Sequence, residues 1–193
     1  MAETNVPAVP ASDAGDISSN VVTINIQGGG HVTFALYNNV GNMKEVRQSV
    51  MNGEIEAALL KTSMIHDPFQ VLTAAHKALH HRRTKKMITK NIHSEILYCL
   101  SPLKGISDSF RKFGVGDKDN TLFTAIVDDV NHTVLTQMNT KIKGDLVSVS
   151  LLPQFSDETE IKKMYKVTAD ELNIGNLVDA VVSRIAVKEI IAV

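Results

Sequence analysis

Residues 67–86 read DPFQVLTAAHKALHHRRTKK, and this stretch predicts a long helix with one apolar face. Asp67 can cap the helix through its side chain. Pro68 suits the first turn because the amide hydrogen that proline lacks has no helical partner there. The apolar residues that share one face at helical spacing are Leu72, Ala75 and Leu79. This helix must therefore pack one side against other elements, and it ends in a cluster of positive charge.

Positive charge is concentrated around the end of this helix. The residues from Pro68 to Ser94 contain no acidic side chain, although the whole chain has a formal charge of only −1. The cations in this run are Lys77, Arg82, Arg83, Lys85, Lys86 and Lys90. A helix dipole favours a cation at the C-terminal end by about 0.3 to 1 kcal/mol, but six cations exceed that need. The run therefore predicts binding to nucleic-acid phosphates, while the low aromatic content argues against a base-stacking platform.

Two β-rich runs flank three glycines near the start of the chain. Residues 21–26 and 32–37 are separated by Gly28, Gly29 and Gly30, which predicts an antiparallel hairpin with a glycine turn. A phosphate-binding loop is the alternative, but that motif needs a following Lys-Ser or Lys-Thr at a helix start. Here a strand follows, so the turn is favoured. Residues 121–127, almost wholly apolar or β-forming, are predicted to be a central strand.

The remaining patterns complete the predicted fold. Helices are predicted at residues 43–51 after Asn42, from Ser94 to Pro102, at 107–113, around 130–137, from Asp157 or Thr159, and after a Thr168/Glu171 capping box. A short segment at 55–60 and a strand at 146–149 are also predicted. The fold class is α/β, of the α+β type, with a mixed, mostly antiparallel sheet packed by several helices in one compact domain at residues 20–193. Residues 1–19 lack a periodic apolar face and are predicted to be a disordered tail.

The last predicted helix, from about Ile174 to Ile190, is apolar around much of its circumference. Such a helix lies either deep in its own core or partly in the core of another protein. Its position near the end of the chain gives weight to the second possibility. Periodicity alone leaves both open.

No catalytic or metal-binding constellation emerges from the residue pattern. His76 and His80 share a helix face, but zinc helices of this spacing carry Glu directly after the first His, where this chain has Lys77. Glu95 lies near His93, yet no nucleophile accompanies the pair. We therefore predict a protein that is not an enzyme and that needs no cofactor or metal.

A single cysteine, Cys99, excludes an intrachain disulfide and fits a reducing compartment. No window approaches the roughly 18 to 20 apolar residues of a membrane span, and the N-terminus lacks the pattern of a secretory signal. We expect a protein of the cytoplasm and nucleus that has no membrane partner.

Several blocks of the sequence resemble the PRPK-binding protein family, the small kinase-binding subunit of the KEOPS (EKC) complex. The blocks are DPFQVL at 67–72, AAHKA at 74–78, SEI at 94–96, LSP at 100–102, FGV at 113–115 and IGNLVDAVVSR at 174–184. The resemblance extends from about Val21 to Ile190 in the order of the family. It implies a compact α/β domain without catalytic activity.

The resemblance also implies partners. Proteins of this family dock on the N-terminal lobe of the small atypical kinase of the complex, and that kinase contacts the threonylcarbamoyl transferase subunit. The family is associated with kinase regulation and with recruitment of tRNA, recognised at its acceptor end, for formation of threonylcarbamoyladenosine beside the anticodon. A free-standing RNA-binding domain or a small-molecule enzyme without a kinase partner is the alternative function.

Two sets of site residues follow for this chain. The kinase surface is predicted to be the exposed share of Leu177, Val178, Val181, Val182 and Ile185. The tRNA surface is predicted to be Arg82, Arg83, Lys85, Lys86 and Lys90. The competing interpretation of the first set is that most of its members form the protein's own core.

Overall fold

The computed structural model describes residues 19–190, so the tail predicted for residues 1–19 lies outside them except for Ser19. The strands are β1 Val22–Asn25, β2 His31–Asn38, β3 Ala58–Leu60, β4 Leu122–Val127 and β5 Asp145–Val147. The α-helices are α1 Met43–Met51, α2 Pro68–Thr84, α3 Ile92–Leu100, α4 Ile106–Phe113, α5 Thr133–Lys141, α6 Glu158–Tyr165, α7 Ala169–Ile174 and α8 Leu177–Val187. Further 3₁₀ helices lie at Thr62–Met64 and Val149–Phe155. The predicted fold class of sheet and packed helices is confirmed.

The sheet is built around β2 and β4. Its order is β1-β2-β4-β3, and β5 also pairs with β2. Because β4 pairs along β2 from Val32 to Tyr37, β1 and β5 must share the opposite edge of β2, one at each end. All pairings among residues 19–190 are antiparallel, and β4 is a central strand as predicted.

The predicted glycine hairpin joins β1 to β2. Ile26 donates its amide to the Gly30 carbonyl at 2.9 Å, and Gly29 donates back to Ile26 at 3.1 Å. Gly28, Gly29 and Gly30 all have φ near +100°, a region that residues with a Cβ rarely adopt. The turn therefore depends on all three glycines.

Helices cover both faces of the sheet. On one face, Phe34 and Phe123 stack at 5.5 Å between ring centroids and pack with α2, α3 and α8. On the other face, Tyr37 and Ile126 pack with α1 and α5. Successive residues of a strand point to opposite faces, which explains why Val32 to Tyr37 of β2 are all buried.

Several predicted element boundaries are wrong, and two of them have a clear local reason. Helix α3 begins at Ile92 instead of Ser94, because Asn91 is the cap and accepts from the Ser94 amide at 2.8 Å. The predicted final helix is divided, with Ile174 ending α7 and Asn176 capping α8 through the Asp179 amide. Ile174 is 93% exposed and belongs to no buried face.

Helix α2 is the longest described helix, with 17 residues. Its predicted cap is confirmed, since Asp67 accepts from the Phe69 amide at 2.8 Å. The capping box of Thr168 and Glu171 is confirmed as well. Among residues 19–190, no helix has both the length and the apolar character needed to cross a membrane.

Candidate functional site

The residues predicted to form the tRNA surface lie at and just beyond the C-terminal end of α2. Arg82 and Arg83 lie in its last turn, and Lys85 follows in the left-handed conformation with φ 57°. The Lys86 amide donates to the His81 carbonyl at 2.8 Å and closes the helix end. Helix α2 therefore leads directly into a loop at residues 85–91, which we call the basic loop.

The two arginines are held by the rest of the protein. Arg82 donates to Asp128 at 2.8 Å, and Arg83 donates to the Gly28 carbonyl in the hairpin turn. Burial acts to raise the pKa of Asp128, but the hydrogen bonds from Arg82 and from the His31 amide hold it below its ordinary value. Arg82 thus has an acidic partner, whereas Arg83 contacts an uncharged carbonyl at the turn.

The three lysines of the basic loop differ from the arginines. Lys85, Lys86 and Lys90 are exposed, and within residues 19–190 their ammonium groups form no ion pair or hydrogen bond. Lys77, the remaining cation of the run, instead donates to the Ile185 carbonyl at 2.6 Å and caps the end of α8. Within the acid-free run, the lysines whose ammonium groups have no partner therefore all lie on the basic loop.

A buried carboxylate lies under the basic loop. Glu95 of α3 is fully buried and accepts hydrogen bonds from the Thr89 amide at 2.8 Å, the Thr89 hydroxyl at 2.7 Å and the Ile88 amide at 3.1 Å. Its other oxygen lies 2.8 Å from His81 Nδ1. Burial acts to raise the pKa of Glu95, but the hydrogen bonds from Thr89, His81 and the loop amides outweigh it and lower the pKa. The carboxylate is therefore ionised at neutral pH.

His93 has a different partner from Glu95, as expected for near neighbours on a helix. Its Nε2 accepts from the Val127 amide at 3.2 Å and ties α3 to the end of β4. Burial lowers the pKa of His93 to about 4, and the nearby charge of Arg82 acts in the same direction. The imidazole is consequently neutral at pH 7 and has a structural role.

The residues predicted for kinase docking divide into two groups on α8. Leu177, Val181 and Ile185 are 7%, 1% and 1% exposed and belong to the core cluster that also contains α2. Val178 and Val182 are half-buried. Residues four apart share a helix face, so the first group faces inward and the second lies on the flank. The structure therefore corrects the prediction that Leu177, Val181 and Ile185 have an exposed share in the free protein. These three side chains lie in the core, because α8 packs against α2.

Comparison with known proteins identifies the family. The model of the family described as kinase binding protein CGI-121 matches residues 37–189. The chain belongs to this family.

Curated relatives agree with this assignment. The chain is 38% identical over 160 residues to the Danio rerio protein named EKC/KEOPS complex subunit TPRKB, covering 82% of this chain and 91% of the relative. It is 35% identical over 143 residues to the Aspergillus fumigatus EKC/KEOPS complex subunit cgi121, covering 70% and 76%. It is 29% identical over 159 residues to the Schizosaccharomyces pombe EKC/KEOPS complex subunit cgi121, covering 79% and 90%. The CGI-121 family is described by kinase binding and not by a reaction, so the prediction of a non-catalytic protein is confirmed.

This CGI-121 family protein also contains one group with the atoms of a metal site. Potential ligand atoms of His81, Glu95 and Cys99 lie within 4.8 Å of one another, the single such group found in residues 19–190. Both Glu95 oxygens already accept hydrogen bonds, however, and burial, followed by the Glu95 charge, raises the pKa of the Cys99 thiol to about 12. A metal binds cysteine as the thiolate, so the arrangement fits a buried hydrogen-bond network better than a metal site.

Local sequence patterns did not reveal the residues that shape the basic loop. Asp128 and Gly28 are 46 and 55 positions from the arginines they contact. From the sequence, Glu95 suggests only acid-base chemistry with His93. The available signal is the position of Glu95 directly after the acid-free run and before an apolar segment, because a carboxylate that becomes buried needs hydrogen-bond donors or cations nearby.

Proposed function

We propose that this protein is a non-catalytic subunit of an EKC/KEOPS complex, acting in the cytoplasm and nucleus. It binds and regulates the small atypical kinase and, through that kinase, associates with the threonylcarbamoyl transferase subunit. It also helps to recruit tRNA for formation of threonylcarbamoyladenosine beside the anticodon. The kinase part is supported by membership of the kinase binding protein family, and the tRNA part by the three unpaired lysines of the basic loop.

The outer flank of α8 is the proposed kinase surface. Val178 and Val182 keep part of their apolar surface exposed beside the buried face of α8. Partly exposed aliphatic side chains on a rigid helix can enter an apolar groove without losing much conformational freedom. The buried members of the predicted set support this flank from beneath.

Replacing Val182 with Arg is expected to weaken kinase binding at least tenfold, because the charged side chain must be desolvated in an apolar interface. Pull-down of the purified kinase, quantified by titration, measures the effect. The matched control is Ser183→Arg, which adds the same charge to the exposed neighbouring residue. Both variants should unfold within a few degrees of the wild type. Loss of kinase binding in Ser183→Arg but not in Val182→Arg would place the kinase on the face of α8 that carries Ser183.

The lysines of the basic loop are the proposed principal phosphate contacts. Reversing Lys85, Lys86 and Lys90 to Glu is expected to weaken tRNA binding and to reduce the slope of log affinity against log salt by about 2 to 3. The reason is that each phosphate contact releases counterions on binding and contributes roughly 0.7 to 0.9 to this slope. Binding is measured with transcribed tRNA over a range of salt concentrations.

A second triple variant controls for net charge. Lys44, Lys118 and Lys163 are exposed and, within residues 19–190, their ammonium groups are unpaired, so reversing them changes the total charge equally. This variant should keep most of the wild-type affinity and slope. Equal losses in the two triple variants would reject a specific site. Measuring tRNA binding with and without the kinase separates the proposed subunit from a free-standing RNA-binding domain.

A further inference from the structure

The basic loop is ordered from below by one side chain. Glu95 is the acceptor for two successive loop amides, those of Ile88 and Thr89, and for the Thr89 hydroxyl. These residues stand between Lys86 and Lys90. The same carboxylate reaches His81 in the last turns of α2. One buried charge therefore connects the helix end to the middle of the loop.

The far end of the loop is fixed as well. The Thr89 hydroxyl, which donates to Glu95, lies 3.1 Å from the Asn91 carbonyl, and Asn91 caps α3 by accepting from the Ser94 amide. Glu95 lies on the same helix, one turn further on. The loop backbone is thus attached to α3 at Thr89 and Asn91, and its lysine side chains remain free.

We propose that Glu95 is a positioning residue for tRNA binding, which holds the backbone of the basic loop in the conformation that presents Lys85, Lys86 and Lys90 to phosphates. This inference rests on the proposed function of the loop. A loop that is already ordered does not lose further backbone conformational entropy on binding, so more of the binding free energy is kept. Glu95 itself is buried and does not contact the nucleic acid.

The sign of the Glu95→Ala effect separates positioning from simple electrostatics. Glu95 is a negative charge beneath a positive loop, so its removal alone should make the surface more positive and strengthen the binding of tRNA. Positioning predicts the opposite. We expect Glu95→Ala to bind tRNA about tenfold more weakly, with a nearly unchanged salt slope because the lysines are still present.

Glu95→Gln provides the conservative variant. Its amide oxygen can accept from Ile88 and Thr89, and its amide nitrogen can donate to His81 Nδ1 once the imidazole takes the tautomer with its proton on Nε2. The shape of the network is kept while the charge is lost. We expect Glu95→Gln to bind tRNA with an affinity within about twofold of the wild type. A much weaker affinity would show that the negative charge itself is required.

Thr89→Val gives a test that does not depend on a buried substitution. It removes the hydroxyl that bonds to Glu95 and leaves all charges unchanged, so we expect tRNA binding about threefold weaker. Hydrogen exchange of the Ile88 and Thr89 amides reports the loop directly. It should be slow in the wild type and in Glu95→Gln, and fast in Glu95→Ala.

Three outcomes would overturn the inference. The first is binding by Glu95→Ala as tight as the wild type or tighter, together with fast amide exchange. The second outcome applies if Glu95→Ala does not fold. It is that Thr89→Val binds tRNA with wild-type affinity although its Ile88 and Thr89 amides exchange fast. The third outcome is unchanged tRNA binding when Lys85, Lys86 and Lys90 are replaced by Glu. Of the three outcomes, only this one also rejects the proposed tRNA surface.

Discussion

Ile185→Arg is expected to unfold the protein instead of only releasing a partner. Ile185 is 1% exposed and lies in the core cluster shared by α2, α3 and the sheet. An arginine there would have to bury its guanidinium without a paired acid or distort the packing of α8. Either result costs about 4 kcal/mol or more, a large part of the stability of a typical small protein. Thermal and urea denaturation followed by circular dichroism measures the loss.

Val181 should respond like Ile185, because the two residues share the inward face of α8. Val182→Arg is the matched control, since it places the same side chain one residue away on the half-exposed flank. A folded Ile185→Arg protein with nearly wild-type stability and no kinase binding would contradict the core assignment. That result would restore Ile185 to the docking surface.

Lowering the pH from about 6.5 to about 4 is expected to remove roughly 3 kcal/mol of stability through His93 alone. In the folded protein burial lowers the pKa of His93 to about 4, whereas its ordinary value is 6.5. The unfolded chain therefore binds more protons than the folded protein in this window. The free energy of unfolding must fall as the pH falls through it. Above pH 6.5 the contribution is fully present.

Urea denaturation of the wild type and of His93→Gln at several pH values tests this effect. Glutamine cannot take up the proton, but its amide oxygen can still accept from the Val127 amide. Carboxylates with lowered pKa, such as Glu158 and Glu171, titrate in both proteins and cancel in the difference. If the difference in the free energy of unfolding between the wild type and His93→Gln is the same at pH 4 and at pH 7, His93 is not the group whose protonation destabilises the protein.

Sequence patterns predicted best where the determinants are local. Asp67, the three glycines and the Thr168/Glu171 capping box act within a few residues, and all are confirmed. The division between α7 and α8 was missed because Ile174 continues the apolar pattern although it is exposed. Periodicity measures spacing and does not reveal whether a partner element lies opposite.

The candidate site was predictable in its charge but not in its organisation. The acid-free run was visible in the sequence, yet it did not distinguish Lys77, which caps α8, from Lys90, which is free. It also did not reveal that Arg82 is paired with Asp128. Such distinctions depend on contacts between segments far apart in the chain, which follow from packing of the sheet and helices.

Helix α2 has one further consequence for the molecule. Lys77 joins it to the end of α8, and Arg83 joins it to the hairpin turn. These two residues are six positions apart on one uninterrupted helix, a rise of about 9 Å. Helix α2 thus acts as a rigid spacer, and two macromolecules bound at α8 and at the basic loop would be held close together at a distance that neither can change.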